Sequence, residues 1–184
     1  LQWESGQQGA CGRMTLETLQ PLLQEVLAYL DPHRLDSHAA LSALLKQAYA
    51  PTHTLAQATR IFMNGLFGKY GLVVLDGDHP ALKKKFLPVI EEELQVRSSF
   101  PLVQETIFKL AIRYKKQAAP RELNLFYLRD GLRERIIMKG EQHWQVLNSD
   151  MRFDQPGIQT ECQTYPERFS PNVILRPLYQ EILL

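Results

Sequence analysis

An α/β fold, rich in helix and carrying one small antiparallel meander, follows from three observations in the 184-residue sequence. Apolar residues recur at helical spacing in successive segments of the first two-thirds of the chain. A continuous apolar run, Leu72-Val73-Val74-Leu75, follows one such helix and precedes another. Asp130-Gly131 then separates two runs of strand-type residues, a hairpin signal. Helix, buried strand and helix in that order is the grammar of α/β proteins.

Taken from the start, Leu1-Gln2-Trp3-Glu4 has the pattern of a strand tail entering a Gly-rich turn, Gly6 to Gly12. No initiator Met, signal segment or transit-type bias accompanies it, as expected of a piece of a longer chain. From Thr15 to Tyr29, Leu16, Leu19, Leu22, Leu23, Val26 and Leu27 mark one helical face, with Thr15 and Thr18 as a capping start and Asp31-Pro32 as its close. A second helix runs from about Asp36 to Tyr49, and a third from near Thr54 to a stop at Gly71.

Residues 72–75 then predict a strand buried on both faces, the mark of a parallel sheet covered by helices. Pro80 opens a helix with Leu82, Phe86, Leu87, Ile90 and Leu94 inside and Lys83-Lys84-Lys85 on its solvated side. Another helix follows Pro101 and runs to Lys115-Lys116. The chain divides accordingly into a helix-rich part over 1–121 with its one buried strand at 72–75, an inserted meander over 122–153, and a connecting segment over 154–184 that returns to the core.

If Asp130-Gly131 is a two-residue turn, Leu128 faces Arg133, Phe126 faces Arg135 and Asn124 faces Ile137, all on one side. The other side holds Leu123, Leu125, Tyr127, Leu132, Ile136 and Met138 and is the core face. Asn124, Phe126, Arg133 and Arg135 are thereby expected to be exposed together. Such a set could seat a nucleobase by stacking and a phosphate by bidentate contacts, or it is plain cross-strand packing of Arg on Phe. A third strand, Glu141 to Leu147, follows Lys139-Gly140.

In the last stretch Ser170 can cap a helix, Pro171 suits its first position, and apolar residues at 174, 175, 178 and 182 recur at helical spacing. Pro177 lies inside that pattern, so the segment is kinked there or is a loop up to Pro177 with a short helix beyond. Arg176 and Gln180, four apart around the break, suggest a polar site. Asp76 and Asp78 sit past the expected strand, where open α/β sheets bind ligands. They could hold Mg²⁺ or a substrate ammonium, or Asp76 ends the strand and Asp78 caps the helix at Pro80.

Composition narrows the function classes. With 21 basic against 20 acidic residues the formal net charge is +1, so no global field draws in nucleic acid or anionic membrane. No apolar run approaches the roughly 20 residues of a membrane span. Two cysteines, far apart and outside any C-x-x-C pattern, fit a reduced cytoplasmic compartment. The five histidines are scattered and none pairs with another His or a Cys at metal spacing, so no zinc site is expected. Walker, G-x-G-x-x-G and G-x-S-x-G patterns are missing from the sequence.

Four segments, in order, carry a family resemblance: Glu4-Ser5-Gly6 running to Gly12-Arg13-Met14; Leu66-Phe67-Gly68 with Gly71 to Asp76; Asn124-Leu125-Phe126; and Phe169-Ser170-Pro171-Asn172-Val173 through Arg176-Pro177-Leu178-Tyr179-Gln180-Glu181. Together they resemble the bacillithiol biosynthesis cysteine-adding enzymes, a family of cysteine ligases. The resemblance implies a Rossmann-like core related to class I nucleotidyl-transferring ligases, with inserted connecting segments and a coiled coil that makes homodimers. It implies addition of cysteine to the amino group of glucosaminyl-malate in the pathway's last step, with ATP or ADP as the possible cofactor. Members of the family are longer. An acidic-histidine signature and a Gly-rich segment expected of them fall outside this sequence, so the chain alone is expected to be inactive.

Arg176 and Gln180 are the catalytic candidates under this resemblance. Asn124, Phe126, Arg133, Arg135, Asn172, Asp76 and Asp78 are the substrate or nucleotide candidates. Arg133 and Arg135 would suit a malate dianion as well as a phosphate. The competing expectation is a structural or interaction module that supports a cleft formed elsewhere.

Overall fold

The computed structural model describes residues 2–30 and 36–184, and for 36 and 37 the backbone only. The chain forms two compact units, Leu1–Asp76 and Gly77–Leu184.

The first unit is helical, with α1 (Gln20–Tyr29), α2 (Asp36–Ala48) and α3 (Leu55–Phe67). The helix expected from Thr15 starts later, at Gln20, because Thr15 is held in an antiparallel bridge with Thr54. Thr54 also starts α3 by a reciprocal cap: its hydroxyl accepts from Gln57 N at 3.3 Å while Gln57 Oε1 accepts from Thr54 N at 2.8 Å. Helices α2 and α3 pack closely at Gly65, where a Cβ would meet Leu44 Cδ1 at 2.4 Å. Leu16, Leu23, Ala48 and Ala58 are buried at the centre. Residues 2–4 form no strand, and the expected helix close at Asp31-Pro32 lies outside the described residues.

The buried strand expected at 72–75 is corrected. These residues belong to no strand, and Leu72, Val73 and Leu75 are exposed, Val73 by 77%. Burial on both faces requires pairing partners on the strand's edges and layers above and below, and no described strand pairs with this run. An apolar run supplies only the wish to be buried.

In the second unit the helix expected from Pro80 divides into α4 (Pro80–Lys85) and α5 (Leu87–Gln95), with Pro88 in the first turn of the latter. His79, not Asp78, caps α4: its Nδ1 accepts from Ala81 N at 3.2 Å. Lys84 and Lys85 are exposed, but Lys83 is buried, which corrects the expected fully solvated lysine face. Its ammonium donates to Phe169 O at 2.8 Å, lies 3.6 Å from Asp78, and faces the Tyr179 ring. The next helix, α6 (Ser99–Leu110), buries none of its residues.

The sheet carries the β half of the α/β fold. Its strands are β1 (Leu125–Arg129), β2 (Leu132–Met138), β3 (His143–Val146), β4 (Arg152–Asp154) and β5 (Phe169–Pro171), all antiparallel, in the order β4-β3-β2-β1-β5. Asp130-Gly131 is the turn as expected, with Arg129 opposite Leu132 and Gly131 at φ 69°. The register also agrees: Phe126 faces Arg135 and Leu128 faces Arg133. Leu123, Leu125, Tyr127 and Ile136 join Trp144, Val146 and Phe169 in the core, together with Ile158 and Cys162 of α7 (Gln155–Thr164) and Phe86, Ile90 and Leu94 from the preceding helices.

Ser170 and Pro171 do not open a helix; they lie in β5, paired with Phe126 and Leu125. The final helix α8 runs Arg176–Leu183 with Pro177 in its first turn, the loop-then-short-helix alternative.

Candidate functional site

The outer face of the β1–β2 hairpin presents Arg133 and Arg135, both exposed on β2, with Arg135 directly opposite the half-buried Phe126 and Arg133 diagonal to it. The Arg133 guanidinium carbon lies 3.8 Å from the Phe126 ring centroid, so the aromatic face is already covered. Neither arginine belongs to any salt bridge among the described residues. This arrangement fits an anion better than a nucleobase, since a stacked base would first have to displace Arg133.

Asn124 is corrected. It is fully buried rather than exposed beside Phe126, and its amide is spent inside the protein. Its Nδ2 donates to Ser99 Oγ at 2.8 Å, Arg121 O at 2.9 Å and Glu93 Oε1 at 3.3 Å; its Oδ1 accepts from Asn172 Nδ2 at 2.8 Å and Arg121 N at 3.1 Å. Asn172 in turn accepts Ile174 N on its Oδ1 at 2.8 Å, and Arg176 N donates to Asn172 O at 3.0 Å. Asn124 and Asn172 are thus brought together, as a brace for the turn that starts α8. Arg176 and Gln180 are both exposed on that helix.

The partner that sequence reasoning missed is Glu93, also buried, whose Oε1 accepts from Asn124 N and Ser99 Oγ, each at 2.8 Å. A signal for it existed. Glu93 falls three residues after Ile90 and one before Leu94, a carboxylate on an otherwise apolar helix face, where a buried charge needs hydrogen-bond partners.

A second polar cluster lies beneath the sheet. Tyr127 Oη donates to Glu161 Oε1 at 2.5 Å, and Arg168 donates to the same oxygen at 2.7 Å. Burial, then the bond to Glu161 and its charge, pushes the Tyr127 phenol up to about 12. For Glu161, burial acts upward, but the hydrogen bonds from Tyr127 and Arg168 and the Arg168 charge outweigh it and hold the carboxyl below its ordinary value. Cys162 is buried and its thiol is raised to about 11 by burial and by Glu91, so it is no nucleophile at neutral pH.

Asp76 and Asp78 are both half-buried, each with polar interactions of its own, and Asp78 approaches Lys83. Among the described residues no group of three His, Cys, Asp or Glu side chains could hold a metal ion, and no helix is long and apolar enough to cross a membrane.

The family model described as bacillithiol biosynthesis BshC, N-terminal Rossmann-like domain, matches residues 1–184. A protein of Flavobacterium johnsoniae named "Putative cysteine ligase BshC" is 42% identical over 99% of this chain and 34% of its own length. Proteins with the same name from Cytophaga hutchinsonii and Flavobacterium psychrophilum are 42% and 43% identical, over 99% and 100% of this chain and 33% and 34% of their own. The chain therefore spans about a third of the length of the curated relatives it matches.

Proposed function

The chain belongs to the bacillithiol biosynthesis BshC family, as its N-terminal Rossmann-like domain, and from that premise we propose that the full protein is a cysteine ligase that joins cysteine to the amino group of glucosaminyl-malate. The observation that carries this reading is identity above 40% along essentially the whole chain to relatives bearing the ligase name. The activity belongs to the complete protein, acting in the cytoplasm as a homodimer, and the part described here supplies one wall of its cleft.

Amide formation needs an activated carboxylate, an unprotonated amine and donors for the tetrahedral oxyanion. Arg176 and Gln180, held on the first turns of α8 by the Asn124–Asn172 brace, are the donors proposed for developing charge. Arg135 and Arg133, the latter stacked on Phe126, supply two guanidinium groups without a carboxylate partner among the described residues for the dianionic malate moiety of the acceptor. Asp78 serves Lys83 of its own unit, and Asp76 and Asp78 are the residues proposed for a substrate ammonium.

The test is turnover by the complete protein with cysteine and glucosaminyl-malate, with and without ATP, the amide product detected by mass spectrometry. Formation of the product supports the reading; its absence under both conditions overturns it. A second reading, an interaction module without catalytic residues of its own, is favoured by α6, where Leu102, Phe108 and Leu110 are exposed on a helix with no fully buried residue. It predicts that changes at Arg176 and at Arg133 with Arg135 leave turnover intact.

A further inference from the structure

The outer face of the sheet continues past the hairpin into a concavity that the ligase reading does not use. Lys139 N donates to His143 O at 2.9 Å, extending the β2–β3 ladder by one step, so Lys139 stands beside His143, which pairs with Asp154 on β4. One register step away, Gln145 pairs with Arg152. Alternation places all five on one face of the sheet, while Trp144 and Phe153 between them send their side chains to the other. The result is a groove of about 750 Å³ with a backbone floor, closed at one end by Gly157 in the first turn of α7. That volume lies within the range of small-ligand sites.

Its charges are unbalanced. Lys139 and Arg152 are exposed and belong to no salt bridge among the described residues. The acid in the groove, Asp154, is engaged as the cap of α7, accepting Gly157 N at 2.9 Å. His143 Nδ1 is engaged by the Glu141 carbonyl at 2.8 Å. Two strand spacings put the Lys139 and Arg152 backbones on the order of 10 Å apart, with the Gln145 amide and the His143 ring between them.

We propose that this groove binds a small anion with two charged groups, phosphate or carboxylate, held by Lys139 at one end and Arg152 at the other, with Gln145 as a neutral donor between. It is a different site from the face of Arg133 and Arg135 and goes beyond the ligase reading, so either can fail without the other.

The complete protein is titrated by calorimetry with sodium pyrophosphate and, separately, with sodium succinate. Saturable binding that weakens by about tenfold or more in Lys139→Ala and again in Arg152→Ala is expected, since losing one charge-assisted contact is worth about that factor. All titrations are run in an Arg133→Ala/Arg135→Ala background, so that the hairpin face adds no anion binding of its own. Binding of pyrophosphate alone assigns the site to phosphates, and equal binding of succinate extends it to carboxylates. The proposal is overturned if neither probe saturates, or if Lys139→Ala and Arg152→Ala bind as that background does. Both substitutions are at exposed positions, and circular dichroism checks that the fold is retained.

Discussion

Replacing Asn124 by Ala removes the hub of the buried network between α5, β1 and the turn before α8. Five hydrogen bonds of the side chain disappear, to Glu93, Ser99, Asn172 and twice to the Arg121 backbone. A typical bond contributes about 1 kcal/mol net, and buried groups left without a partner cost about 1–3 kcal/mol each. Arg121 is exposed, so water replaces its two lost bonds, whereas the Asn172 amide sits in a partly buried environment. The expected destabilisation of the second unit is therefore about 3–4 kcal/mol, in the upper tail for a single substitution. Urea unfolding reads it through Trp144 fluorescence in a Trp3→Phe background, which silences the other indole. With a slope of about 1–3 kcal/mol per molar, the midpoint falls by about 1 M or more. A loss below about 1 kcal/mol would refute the view that this amide organises the unit. A double-mutant cycle with Asn172→Ala should show coupling above about 0.5 kcal/mol, as for directly bonded partners.

Tyr127 gives a pH signature: its folded value, about 12, exceeds its ordinary 10.0, so the stability it contributes is complete below pH 10 and is lost as pH rises toward 12. Tyr127→Phe should flatten that alkaline decline in unfolding free energy; an unchanged slope would count against a phenol raised by burial and by Glu161. Glu161 has the opposite sign, since a lowered carboxyl stabilises above its ordinary range and loses that contribution on acidification, and Glu161→Gln should weaken the acid dependence in the same titration. Arg176→Ala in the complete protein should lower turnover by about a hundredfold if the guanidinium stabilises developing charge; near-normal turnover with an intact circular dichroism spectrum would make it structural. Gly131→Ala should cost about 1 kcal/mol for backbone strain alone, because φ is 69° and an added Cβ meets nothing within 4 Å; thermal unfolding measures it.

The hairpin was legible in the sequence because its determinants are local: a two-residue turn fixes the register, and the register fixes which side chains share a face. The arginine face of the candidate site came with it. Asn124 was misplaced for the opposite reason. Its burial depends on Glu93, 31 residues earlier, and on Asn172, 48 residues later, neither of which periodicity in the strand can reveal. The three-residue strand at Phe169–Pro171 was hidden by its Pro and by its serine, both good helix-start residues, and only the partner strand decides between the two outcomes. Lys83 looked like one of three solvated lysines until a carbonyl 86 residues away supplied its acceptor.

The strand order has a consequence for synthesis. β1 and β2 can pair as soon as Met138 has left the ribosome, yet the second edge of β1 has no partner until Phe169–Pro171 emerges. At about 5–20 residues per second that interval lasts a few seconds. Throughout it the nascent chain displays the open edge of a strand made of Leu125, Phe126, Tyr127 and Leu128, a sticky template for any neighbouring chain on the same message. The same segment carries the Phe169 carbonyl that accepts from the buried Lys83 ammonium. Arrival of this one short segment therefore closes the β1 edge and supplies the acceptor of the buried Lys83 ammonium together.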